Sequence, residues 1–363
     1  MKDYSMQLKK WLTATAVSLA TLYSGQLLAD DPLKVGFVYV GPVGDHGWSY
    51  EHDLGRKEME QHFAGKVETT YVENVPEGAD AERVITQLAK SGHDVIFTTS
   101  FGFMNPTLKA SKRFPDVTFE HATGYKRSDN LSTYALRTYE GRYVSGVAAG
   151  MTTKTNTIGY IASFPIPEVI RDINSVYMGA KSVNPDIEIK IVWVNTWYDP
   201  GKESDAANAL MDQGVDVILQ HTDSPAPLIA AEKRGVMGIG QASDMSSFAP
   251  KSHMFSVRDV WAPHYIRTVE EVMSDSWAPE DYWGGFADDI LQIVSINPDL
   301  PAELKEAIDS THKLIKSGEF HPFTGPIKDN QGNEVVPAGH TLTDNELAGV
   351  NWYVEGIDAT IPN

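Results

Sequence analysis

Val35-Gly36-Phe37-Val38-Tyr39-Val40 comes back about 122 residues later as Ile158-Gly159-Tyr160-Ile161-Ala162-Ser163. The echo is not isolated. Residues 67–72 return as 189–194, and Ser91-Gly92-His93-Asp94-Val95-Ile96-Phe97 returns as Gln213-Gly214-Val215-Asp216-Val217-Ile218-Leu219. Each copy reads strand, helix, strand, helix, strand. The strands are short, rich in β-branched residues and lack clean alternation, as in a parallel sheet buried on both faces. Between them, residues 79–90 and 203–211 carry apolar side chains at three- and four-residue steps, the period of a helix. Alternation of this kind implies right-handed crossovers and an α/β fold of two doubly wound lobes. Two such lobes in one chain leave a cleft that can open and close on a ligand.

The last hundred residues are not a third copy. Residues 260–273 and 302–317 are predicted helices, 290–296 a strand, and the tail with Gly332, Pro337 and Gly339 a small hairpin with loops. The chain is therefore expected to return to the first lobe and finish on the second. Lobe 1 would hold residues 33–138 plus 259–296, and lobe 2 residues 139–258 plus 297–363. A hinge with three crossings follows.

Lys2, Lys9 and Lys10 precede an uncharged, largely apolar run from Trp11 to Leu28, and Ala29 stands before Asp30-Asp31-Pro32. That layout predicts a cleaved signal peptide over residues 1–29 and a periplasmic protein. The chain has no cysteine, so no lipid anchor on a thiol, no disulfide and no thiolate chemistry are expected. A net charge of -19 for the full chain argues against nucleic acid as a partner, since phosphate binding needs clustered Lys and Arg.

In open α/β sheets, ligands bind beyond the carboxyl ends of the strands. The loops there combine aromatic with short acidic side chains: residues 41–50, with Asp45 and Trp48; 99–105, with Phe101, Gly102 and Phe103; Asn195-Thr196-Trp197-Tyr198-Asp199; His221-Thr222-Asp223-Ser224; Gly240-Gln241-Ala242-Ser243-Asp244; and Tyr282-Trp283-Gly284-Gly285. Aromatic faces stack planar rings, and carboxylates accept hydrogen bonds from ring N–H or amino groups. His46 and His52 with Asp45 and Asp53 fit no common metal spacing and are read as solvated loop residues. Gly41, Gly44 and Gly47 do not form a dinucleotide fingerprint, and phosphate-loop, nucleophile-elbow and His-Glu-x-x-His motifs are lacking. The expectation is a binding protein with no catalytic residues, metal or cofactor.

In their order and spacing, residues 38–57, 140–150, 158–185, 197–202 and 235–244 resemble the basic membrane protein family of ABC-transporter solute-binding proteins. Characterised members of that family bind purine nucleosides. The resemblance implies the type I periplasmic binding protein fold, delivery to an ABC permease in the inner membrane, and a monomeric shuttle. It also implies a base stacked on Trp48, three residues after Asp45, and covered by Trp197, which precedes Asp199-Pro200. Where the family carries an Asp that grips ribose hydroxyls, this chain has Ala242. Larger indoles and a missing ribose ligand lead to the expectation of a free purine base, with a purine nucleoside-binding protein, or a sensory binding protein for another small solute, as alternatives. Phe101, Gly102, Phe103 and Trp283 are expected to wall the pocket. Asp45, Glu140, Asp223 and Asp244 are expected to bond the base edge, with a hinge or helix-terminus role as the alternative for Glu140.

Overall fold

The computed structural model describes residues 31–362; the expected signal peptide lies outside them. The first repeat runs β1 (Leu33–Val38), α1 (Trp48–Phe63), β2 (Val67–Val72), α2 (Ala79–Lys90), β3 (Val95–Thr98), α3 (Met104–Arg113), β4 (Thr118–Ala122) and β5 (Leu131–Leu136). The second runs α4 (Thr138–Thr152), β6 (Thr157–Ala162), α5 (Pro167–Val183), β7 (Glu188–Trp193), α6 (Pro200–Asp212), β8 (Val217–Gln220), α7 (Ala226–Arg234), β9 (Met237–Gly240) and β10 (His253–Asp259). Then come α8 (Ala262–Met273), β11 (Asp281–Gly284), β12 (Leu291–Val294) and α9 (Ala302–Lys316), before the hairpin of Ile327–Lys328 with Glu334–Val336.

Two six-stranded sheets result. The first has the order β11-β5-β4-β3-β1-β2 with every pair parallel. The second has the order β12-β10-β9-β8-β6-β7 and is parallel except where β12 meets β10. The repeated segments occupy equivalent places: Val35 pairs with Val95 in one sheet, and Ile158 with Val217 in the other. Successive residues Phe37 and Val38 are both fully buried, as are Tyr160 and Ile161, because helices cover both faces. The apolar stripe of α2, Ala81, Val84, Ile85, Leu88 and Ala89, is one of those covers.

The three crossings bring one correction. The chain leaves the first sheet after β5 and enters the second lobe through α4. It returns between β10 and α8, and crosses finally between β11 and β12. Residues 291–294 pair with β10 and not with the first sheet, so the lobe boundary falls before Leu291 and not after Ile296. An apolar strand of this length carries no mark of which sheet it will join, and the antiparallel edge of β10 takes it.

Helix α4 packs against α5 so closely that neither Gly146 nor Gly179 could carry a side chain. A Cβ on Gly146 would fall on the carbonyl of Val176, and one on Gly179 on the carbonyl of Tyr143. At the same seam Arg142 meets Asp172 at 3.3 Å, their side chains 1% and 0% exposed. The tail is bound to α5 as well: Asn174 donates to the carbonyl of Trp352 (2.7 Å) and accepts from the Val354 N–H (3.0 Å).

Candidate functional site

The loops after the strands of both sheets line one common, narrow cavity. The first sheet contributes Val40, Trp48, Ser100, Phe101 and Thr123. The second contributes Ile166, Glu168, Trp197, His221, Asp223 and Gln241.

Trp48 opens α1. Its indole N–H donates to the carbonyl of Thr99 at 2.6 Å, and its ring stands nearly perpendicular to His52 (4.5 Å, 76°) and Trp261 (5.2 Å, 78°). Trp197 projects from the other lobe and tilts on Phe164 at 4.9 Å. Its indole N–H donates across the cleft to Glu77 Oε1 at 3.1 Å. The same carboxylate oxygen accepts from Ser100 Oγ (2.6 Å) and the Gly102 N–H (3.2 Å), so it ties the Phe101 turn to the opposite indole. The Asp223 N–H donates to the Trp197 carbonyl at 3.0 Å, which joins two cavity loops of the second lobe.

The lobes touch without intervening side chains at Gly47. A Cβ there would fall on the Asp223 carbonyl oxygen and lie 2.8 Å from its Cα. Beside it, Ser243 Oγ donates to the His46 carbonyl. The molecule is closed at this seam.

Four of the expected ligand residues meet at the cavity: Trp48, Phe101, Trp197 and Asp223. Trp283 lines an adjoining recess with Arg171 and Tyr125, and Phe101, Thr123 and Glu168 belong to both spaces. The others lie elsewhere. Asp45 is buried outside the cavity lining and accepts from the N–H groups of Gly47 (2.9 Å), Ser49 (3.1 Å) and Tyr50 (3.0 Å), satisfying donors left free by the start of α1. Gly102 contributes only its N–H to Glu77. Phe103 is fully buried among Ile96, Ala110 and Phe119 in the first-lobe core. Glu140 accepts from the Phe286 N–H at 2.7 Å, where the chain makes its last crossing, and belongs to the hinge. Asp244 is exposed and takes up Ser246 N–H and Ser295 Oγ. His46 is exposed, but the reading of its neighbours as solvated is corrected: His52 and Asp53 are buried, with Arg56 at 2.7 Å from Asp53.

Burial shifts the acidic groups here in one direction, upward. Burial raises Asp45 to about 6 despite its three N–H donors. Burial, and then the charges of Asp45 and Glu203, push Asp223 well above the usual carboxylate range. Glu203 is fully buried and accepts from Ser224 Oγ at 2.6 Å.

Sequence reasoning passed over Glu77, Glu168, His221 and Gln241. The last two stand in loops singled out above, without an aromatic or acidic label to draw attention. Glu77 and Glu168 follow β2 and β6, whose loops lie outside those singled out above; the strand-end rule extended to them reaches both residues.

Two α/β lobes, three crossings and an enclosed cleft lined from both sides define a two-lobed solute-binding protein. The chain belongs to the Bmp family, described as ABC transporter substrate-binding protein PnrA-like, which matches residues 33–329. It is 50% identical over 341 residues to a purine-binding protein of Brucella abortus (strain 2308), covering 94% of this chain and 97% of that protein. It is 37% identical over 333 residues to a putative ABC transporter glucose-binding protein of Haloferax volcanii, covering 92% and 82% respectively. Among solved structures, a solute-binding protein of an ABC transporter system from Aeropyrum pernix K1 superposes with a TM-score of 0.70 at 18% identity, over 82% of this chain and 93% of that one. That likeness concerns the fold.

Proposed function

We propose that this protein captures a free purine base, such as adenine, hypoxanthine or a related oxopurine, in the interlobe cleft and delivers it to an ABC permease in the inner membrane. On this reading it acts as a periplasmic monomer after loss of residues 1–29. The observation that carries the reading is the presence of Trp48 and Trp197, one from each lobe, on a single enclosed cavity. Each indole offers a stacking surface worth about 1–3 kcal/mol per base. Ala242 supports a base over a nucleoside: it is 1% exposed, lies outside the cavity lining, and its methyl accepts no hydrogen bond from a ribose. The Brucella relative, purine-binding by name, points the same way.

A sugar is the second reading, favoured by the Haloferax relative. Indoles also stack on sugars, but a pyranose needs several paired donors and acceptors around its rim. The cavity lining offers Glu168, His221, Asp223 and Gln241, all from one lobe, with only Ser100 and Thr123 opposite. A flat heterocycle suits that asymmetry better.

A thermal-shift panel of purine bases, nucleosides, pyrimidines and sugars tests the proposal. A ligand at 100 times its Kd adds about 2.7 kcal/mol to stability. Bases should shift the transition and nucleosides should not. A response to nucleosides equal to that of bases sinks the base assignment, and a response to sugars alone sinks the purine.

A further inference from the structure

Glu168 differs from Glu77, Asp45 and Glu203 in the donors it lacks, and from Asp223, whose carboxyl burial pushes well up, in being held low. Glu77 is taken up by Trp197, Ser100 and Gly102, Asp45 by three backbone N–H groups, and Glu203 by Ser224 and the Asp199 N–H. Glu168 is the second residue of α5, after Pro167, which has no N–H to offer it. Its close polar partner among the described residues is the His221 imidazole, with Nε2 at 3.5 Å. That ring is fixed from behind. Its Nδ1 lies 3.2 Å from Ser163 Oγ, and its Nε2 lies 3.6 Å from Asp172, which is held by Thr138 Oγ1 (2.8 Å) and Arg142.

The surroundings keep Glu168 charged. Burial pushes its carboxyl up, but His221, with Arg171 and Arg142 beyond, outweighs burial and holds it below the usual range. A carboxylate that faces an aromatic-walled cavity, with most of its lone pairs unfilled, requires a donor when water is expelled. Ring N–H groups supply one.

We infer that Glu168 is the specificity-determining acceptor of this site, taking a hydrogen bond from a ring N–H of the bound heterocycle. The inference rests on the purine reading and deepens it. A free purine or oxopurine carries an N–H on its imidazole ring, which a nucleoside has lost to its glycosidic bond. An analogue without the N–H at that edge leaves a buried anion unpaired, and hydrogen bonds to charged groups account for roughly 10- to 100-fold in affinity.

The test is isothermal titration of the full-length chain and its Glu168→Gln variant with hypoxanthine and its 1-methyl, 7-methyl and 9-methyl derivatives. The wild type should bind hypoxanthine and reject one methyl isomer at least 10-fold more than the others. The variant should lose roughly 10- to 100-fold for hypoxanthine, and its discrimination against that isomer should collapse. Glu168→Asp, which keeps the charge and shortens the reach, should fall between the two. It carries the same test if the Gln variant does not fold. A Glu168→Gln affinity within twofold of wild type overturns the inference, as does discrimination among the isomers that is unchanged in both variants. Failure of the wild type to bind any purine overturns the purine reading first, and the inference with it.

Discussion

Trp48 and Trp197 are held by their indole N–H groups, and neither ring is fully buried. Each is thus positioned at its polar edge while part of its apolar surface borders the cavity. Replacing either with Ala should cost roughly 5- to 150-fold in affinity for the bound base, from one lost stacking surface. Folding should stay cooperative in both variants. Titration calorimetry alongside thermal unfolding separates these effects, and unfolding of both variants would make the rings core anchors. At this scale the sequence was only partly legible. Phe101 and Phe103 look interchangeable as residues, yet the short turn between β3 and α3 sends one to the cavity and the other into the core. Asp45 could be picked out as special, but composition does not say whether a carboxylate will face a ligand or the first N–H groups of a helix. Glu168 depends on contacts from three elements, α4, α5 and the loop after β8, that sequence spacing does not bring together.

Among the elements, α4 bears most directly on the hinge. It grows out of β5 yet belongs by packing to the other lobe, and Glu140 in its first turn grips the last crossing at Phe286. Burial raises the Glu140 carboxyl to about 7, with the Phe286 N–H pulling the other way. A carboxyl raised on folding contributes stability below its unfolded value of 4.5, and that contribution is lost as pH rises through about 7. Glu51, raised to about 7 by burial despite Arg258, acts in the same direction. Stability should therefore be higher at pH 5 than at pH 8, by about 3 kcal/mol from Glu140 alone. Urea unfolding at both values should show that Glu140→Gln reduces the difference. An undiminished difference would assign it to Glu51 and other raised acids. The repeats made both sheets legible because each strand and helix declares itself locally. The place of β12 was not legible, because membership of a sheet is decided by a partner far away in the chain.

For the molecule as a whole, closure depends on the bare backbone contact of Gly47 with Asp223. A methyl group there has nowhere to go, and neither lobe needs the glycine for its own core. Gly47→Ala should weaken ligand binding at least about 10-fold, equivalent to 1.4 kcal/mol. The unliganded unfolding temperature should stay within a few degrees. Small-angle scattering with ligand present should show a more extended particle than wild type, and unchanged affinity would mean that closure can shift around the site. The order of strands carries a different consequence, for the chain as it is being made. Thr133 on β5 bonds to Asp281 on β11, 148 residues further on. During N-to-C synthesis the first lobe therefore has an open sheet edge until after the second lobe has been made as far as β10. Neither lobe can mature as an independent unit, and contacts this distant slow folding. That edge stays open until β11, at residues 281–284 of 363, has been made.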